Sequence, residues 1–180
     1  MRERRAANYY REAVRLGRLG QPGRALESLN KVIELTPGYP EAYYLRGMQL
    51  SRLGRHEEAL ADFDHVRTLM PGQNDADLQR GIQLSGLGRH EEALEAVDEF
   101  LHRFPGNSDA LILRGSELVE LGRDEDALQA FDEVLSSSPE HAVAHHNRAI
   151  TLTRLGRLEE AQAARDRAAS GGLPTNGNDV

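Results

Sequence analysis

His141 and His145 stand four residues apart, the spacing that sets two imidazoles on one stripe of a helix where they could meet one metal ion, and His146 follows directly. No third histidine or acid stands at a matching offset, so the spacing predicts polar surface residues at a unit boundary. His56 and His90 each follow an arginine at equivalent places and read as a by-product of internal repetition. The acids Glu57-Glu58, Glu91-Glu92, Asp124-Glu125-Asp126 and Glu159-Glu160 could in principle share general acid–base work. Each cluster recurs beside an alanine where the first turn of a helix is expected, a place the helix dipole favours for acids. Cysteine is absent, which removes thiol catalysis, disulfides and cysteine-held metals. Gly-rich phosphate loops are missing as well: the nearest glycine pair, Gly81 and Gly86, is followed by Leu87 within a helical pattern. The residues predict no catalytic set, no metal and no cofactor.

A second pattern sets charge against charge. Arg46, Arg80, Arg114 and Arg148 recur at one interval, and Asp64, Asp98, Asp132 and Asp166 recur in step with them. In the first unit both places change together, to Glu12 and Asn30. A guanidinium offers a carboxylate two parallel N–H donors, and the joint change predicts pairing inside each hairpin, such as Arg46 with Asp64. The role this suggests is structural.

The elements that must position these residues follow from the same interval. Leu-Gly pairs stand at Leu19-Gly20, Leu53-Gly54, Leu87-Gly88, Leu121-Gly122 and Leu155-Gly156, 34 residues apart each time. Ala25, Ala59, Ala93, Ala127 and Ala161 follow the glycines in register, and Pro37, Pro71, Pro105 and Pro139 follow the alanines. Tyr43, Gly47 and Leu50, then Ala59, Leu60, Phe63 and Val66, fall at intervals of three and four, one stripe of a helix each. Each unit therefore predicts a helix hairpin, whose first helix ends at the left-handed glycine and whose second is stopped by the proline. Asn74 and Ser108 are expected to cap the next first helices, with Asp75, Asp77 and Asp109 at the positive end of the dipole. Glycine inside a helix costs about 1 kcal/mol, yet Gly47, Gly81 and Gly115 hold the eighth place of three units, matched by Ala13 and Ala149. A neighbouring helix is expected to press on the backbone there. A lone hairpin cannot bury its stripe, so the units must stack. The expected domain spans 6–169, in units 6–39, 40–73, 74–107, 108–141 and 142–169, followed by a tail over 170–180 whose composition predicts disorder.

In the second unit the large aromatic, small residue, alanine, bulky apolar residue and proline are Tyr43, Gly47, Ala59, Phe63 and Pro71. With their recurrence over about residues 6–169, these resemble the tetratricopeptide repeat. Two places depart from that family's pattern: arginine replaces the usual apolar seventh residue, and Gln162 and Arg165 replace apolar packing residues in the fifth unit, as an end cap would. The resemblance implies an all-α fold, a right-handed α-solenoid of five 34-residue helix-turn-helix repeats, with first helices lining a concave groove that binds protein without catalysis. It also implies which places face that groove. The fifth reads Tyr10, Tyr44, Leu78, Ile112 and His146, and the ninth Val14, Met48, Ile82, Ser116 and Ile150, a largely apolar band. Glu41, Asp75 and Asp109 at the second place flank one side, and Arg18, Arg52 and Arg154 at the thirteenth the other. The twelfth place, Gly17, Ser51, Ser85, Val119 and Thr153, is mostly small enough to admit a ligand backbone. The expected peptide-binding residues are thus Tyr10, Val14, Glu41, Tyr44, Met48, Asp75, Leu78, Ile82, Asp109, Ile112, His146 and Ile150. A clamp for chaperone-tail carboxylates is disfavoured, because the only lysine, Lys31, lies on a second helix.

Charge narrows the partner further. Lys+Arg of 22 against Asp+Glu of 29 gives a net charge of −7, the wrong sign for a protein that binds by neutralising phosphates. No apolar run is long enough to cross a bilayer. The expected partner is another protein or peptide, not nucleic acid or a membrane, in a cytoplasmic setting; the preference for arginine over lysine is compatible with a high-GC bacterial coding sequence. A self-associating scaffold, with the groove or a solenoid end binding another copy, is the alternative.

Overall fold

The computed structural model describes residues 1–72 and 75–171, which form ten α-helices. Contacts divide the chain between Arg89 and His90 into two compact units. The first contains α1 (Arg2–Arg18), α2 (Pro22–Leu35), α3 (Pro40–Arg52), α4 (His56–Leu69) and α5 (Ala76–Gly86). The second contains α6 (His90–Arg103), α7 (Ser108–Glu120), α8 (Asp124–Ser137), α9 (Ala142–Arg154) and α10 (Leu158–Ser170).

Within each unit every helix packs on the next in sequence, and the first helices of successive hairpins also touch, α1 with α3 and α7 with α9. Alternate helices thus share one face. The Leu-Gly turns work as expected. Gly54, at φ 69°, donates its N–H to the Ser51 carbonyl while the Arg55 N–H reaches back to Leu50, the paired bonds of a Schellman cap. The same bonds recur at Gly20, Gly88, Gly122 and Gly156. The acids beside the alanines occupy the first turns of α4, α6, α8 and α10. Three of them also pair with an arginine three residues earlier, Arg55 with Glu58, Arg123 with Asp126 and Arg157 with Glu160.

Small residues let the hairpins close. Ala25, Ala59, Ala93, Ala127 and Ala161 are all fully buried. At the eighth place a methyl group on Gly47 would sit 2.9 Å from the Phe63 ring, and one on Gly115 would lie inside contact distance of Phe131. The element that presses on the glycine is therefore the second helix of the same hairpin. Leu26, Leu50, Ala59 and Phe63 form one core cluster in the first unit; Leu94, Leu118, Ala127 and Phe131 form its counterpart in the second. In α10, Gln162 is exposed and Arg165 half-buried, at the places where Leu128 and Phe131 are buried in α8.

Ser108 does not cap α7. The cap is Asn107, whose side-chain oxygen accepts from the Ala110 N–H at 2.9 Å, leaving Ser108 as the first helical residue. Asn74 and residues 172–180 lie outside the described residues, and the expected tail begins with Ser170 still inside α10. α1 starts at Arg2, ahead of the expected Ala6.

Candidate functional site: the shared face of the first helices

The arginine–aspartate register differs from expectation. Arg80 Nε donates to Asp64 at 3.0 Å, Arg114 to Asp98 at 2.8 Å and Arg148 to Asp132 at 2.7 Å, so each arginine reaches the aspartate of the preceding hairpin, not its own. Arg46 extends the series by donating to Asn30 at 2.9 Å. The cause is packing: the first helix of one repeat lies against the second helix of the repeat before it, which brings residues 16 apart together. These pairs tie repeat to repeat, and their aspartates are about half exposed, so each contributes at most about 1 kcal/mol. Arg46 alone adds a bond within its hairpin, a two-pronged one to buried Asp62 at 2.7 and 2.8 Å. The hydrogen bond that Arg46 donates to Asp62, the larger cause, pushes the Arg46 pKa above its ordinary value against the opposing effect of burial. Sequence reading missed Asp62 because the other repeats carry Ser28, Ala96, Ala130 and Ala164 at that place.

The histidines are structural in a way that spacing did not reveal. His56 Nδ1 bonds buried Gln83 Oε1 at 3.0 Å, and His90 Nδ1 bonds buried Glu117 Oε2 at 2.8 Å, each from the start of a second helix to the next first helix. They are inter-repeat bridges, not a by-product of repetition. The shared 27-residue separation was the available signal. His145 is buried, contrary to the expectation of a surface residue, and its Nε2 donates to the Pro139 carbonyl at 2.7 Å. His141 caps α9, its Nδ1 accepting from the Ala144 N–H. Among the described residues no group of three or more acids and histidines is placed to hold a metal ion.

On the first helices, the fifth and ninth places divide the work. Tyr10, Tyr44 and Ile112 are half-buried and pack against the core clusters, and Leu78 is fully turned inward at 7% exposure. At the ninth place Val14 and Met48 are half-buried, while Ile82 and Ile150 are 40% and 47% exposed. At Leu78 and Ile82 in the first unit the fifth place thus lies inward one helical turn from an exposed apolar residue, whereas in the second unit the fifth-place His146 and ninth-place Ile150 are both exposed. His146, Glu41 and Asp109 are exposed, and Asp75 is half-buried.

In the first unit four of the expected residues meet around one pocket of about 420 Å³: Tyr10, Glu41, Tyr44 and Asp75, with Pro40, Leu45, Val66 and Met70 completing its wall. Tyr44 donates its hydroxyl to Asp75 Oδ2 at 2.9 Å and sets its ring edge-on to Phe63. Burial first, then the bond to and charge of Asp75, raise the Tyr44 pKa far above that of an ordinary phenol. Tyr10 packs edge-on to Tyr39, and its pKa is raised by burial, by Tyr39 and by the nearby Glu41 charge. In the second unit a smaller pocket of about 160 Å³ is lined by Ser116, Val119, Phe131 and Ile150, among others.

The twelfth and thirteenth places are less open than expected. Gly17 is buried and its space is taken by the Gln49 side chain, 3.3 Å from where a methyl group would stand. Arg52 donates to the Gly17 carbonyl at 3.2 Å, and Arg154 to the Val119 carbonyl at 3.1 Å and to Asp124. Two of the three expected flanking arginines are therefore held by the preceding repeat.

Stacked hairpins with Schellman turns, small-to-large packing inside each hairpin and an apolar row on the first helices define a helical-repeat protein-interaction module. The chain belongs to the tetratricopeptide repeat family: one profile of that family matches residues 78–142 and 112–174, and a second matches 28–61. No curated protein sequence matches it significantly. Its fold is similar to solved structures. MamA from Desulfovibrio magneticus RS-1 superimposes with a TM-score of 0.87 at 23% identity, covering 92% of this chain and 94% of that one. YrrB, described as a TPR protein with an unusual peptide-binding site, gives 0.75 at 24% identity, covering 91% and 84%. A further MamA structure gives 0.81 at 17% identity, covering 88% and 93%. Among the described residues no helix is long and apolar enough to cross a membrane.

Proposed function

We propose that this protein is a noncatalytic, cytoplasmic adapter that holds a peptide segment against the first helices of its repeats, with Tyr10, Val14, Glu41, Tyr44, Met48, Asp75, Leu78 and Ile82 serving in the first unit and Asp109, Ile112, His146 and Ile150 in the second. The observation that carries this reading is the pocket around Tyr10 and Tyr44 in a unit whose first helices also leave Ile82 in water; in the second unit Ile150 is likewise exposed. Apolar side chains arranged around a concavity mark interaction sites more often than chance exposure does. Leu78 contributes as support beneath Ile82, not as a contact.

Peptides selected from a displayed library of random dodecamers test the reading. Met48→Asp with Ile82→Asp is expected to raise their Kd roughly 100-fold, the loss of two apolar anchors worth more than 1 kcal/mol each, with the circular dichroism of the helices unchanged. Undiminished binding would count against the groove. Tyr44→Asp is a poor probe, because it would place a second carboxylate beside Asp75 and remove the contact with Phe63.

A self-associating scaffold is the second reading, and one observation favours it. Basic residues outnumber acidic ones in residues 1–89, whereas acids far outnumber bases in 90–180. Opposite signs at the two halves suit head-to-tail contact between copies. Light scattering over a concentration series is expected to show growth at low ionic strength that 0.5 M salt suppresses, since screening shortens to a few ångströms, about 4 Å. A mass that stays monomeric at low salt and high concentration rejects this reading.

A further inference from the structure

The pocket of the first unit carries a charge pattern that a purely apolar ligand leaves unexplained. Glu41 is exposed at one edge and, among the described residues, makes no ion pair. Asp75 stands at the N-cap position of α5, where a carboxylate would ordinarily accept a backbone N–H, yet its side chain makes no cap bond. It is held toward α3 instead by the Tyr44 hydroxyl at 2.9 Å. Two carboxylates therefore border a cavity otherwise walled by tyrosine, proline, leucine, valine and methionine side chains, with no cationic partner for either among the described residues.

We infer that this pocket takes a basic side chain, lysine or arginine, of the bound peptide, with the aliphatic stem against Leu45, Val66 and Met70 and the cationic head between Glu41 and Asp75. This assignment rests on the peptide-binding reading above and deepens it. Lysine and arginine stems cover apolar surface while their heads stay polar, and tyrosine faces attract a nearby cation. A neutral apolar side chain would strip water from the two carboxylates without compensation, and an acidic one would be repelled. The Glu41 charge is already felt at the pocket wall, where it helps raise the Tyr10 pKa. Met48 lies one helical turn beyond Tyr44 on α3, so a peptide anchored here can continue along the apolar row.

The test uses the full chain and the dodecamer selection. Selected peptides are expected to carry lysine or arginine at one fixed position, and replacing it by norleucine should weaken binding about tenfold, the worth of one well-placed charge contact. In Glu41→Gln/Asp75→Asn, which keeps shape and leaves a competent capping residue on α5, lysine and norleucine peptides should bind alike. Selected peptides without a basic preference, or a lysine preference that survives in that variant, would overturn the inference. Peptides lost on Met48→Asp/Ile82→Asp but indifferent to norleucine would reject the basic side chain while leaving the groove standing. Peptides that bind the Met48→Asp/Ile82→Asp chain at full strength, or a selection that yields no binder, would reject both.

Discussion

Replacing Arg46 by methionine is expected to destabilise the first unit by about 3–5 kcal/mol, the cost of stranding a buried carboxylate, whereas Asp62→Ala should cost only about 1 kcal/mol. The two halves of the pair are not equivalent. Asp62 is 4% exposed and depends on the two N–H donors of Arg46. Arg46 is more open and keeps its bond to Asn30 when Asp62 is gone. Alanine at this place is already accommodated elsewhere in the chain, by buried Ala96, Ala130 and Ala164. Urea unfolding of both single variants and of Arg46→Met/Asp62→Ala measures the asymmetry, and the double variant should recover most of the loss of Arg46→Met. Equal costs for the two single changes would show that the carboxylate is not the group at risk.

Phe131→Ala should cost about 3–5 kcal/mol, because the ring is fully buried and its removal leaves a cavity in the core. The more informative experiment concerns its partner. Gly115→Ala gains about 1 kcal/mol of helix propensity but drives a methyl group into the Phe131 ring, and overpacking of this kind costs about 1–3 kcal/mol. The chain contains its own solution to the clash. Where the first repeat has alanine at the eighth place, Ala13, the facing residue is Leu29, and both are fully buried in one cluster. Gly115→Ala/Phe131→Leu copies that pair, so thermal melts should show it less destabilised than the sum of its single changes. Additive losses would mean the two sites are not coupled through packing.

The hairpins were legible because their boundaries are local. A Schellman turn draws on residues within two turns of the glycine, and a proline stops a helix through its own ring, so a 34-residue recurrence of both specifies where helices end. Alternation of small and large residues likewise told that something presses on Gly47 and Gly115, since only close contact repays glycine inside a helix. The candidate groove was legible in part. Its apolar row and its acids are visible as places on a repeat, but whether a given side chain floors the groove, as Leu78 does, or stands in water, as Ile150 does, is decided by its neighbours.

What the sequence by itself determined is the repeat: helix hairpins, their length, and the absence of cysteine and of a phosphate-binding loop. Tertiary structure alone decided which residues meet across repeats. In a periodic chain the aspartate of one hairpin and that of the hairpin before it are the same residue type at the same place, so spacing cannot choose between them. Packing chooses, setting Arg80 on Asp64, Arg114 on Asp98 and Arg148 on Asp132. It also turned Asp75 away from its helix cap and onto Tyr44, because the next first helix comes within reach of that hydroxyl only once the hairpins are stacked.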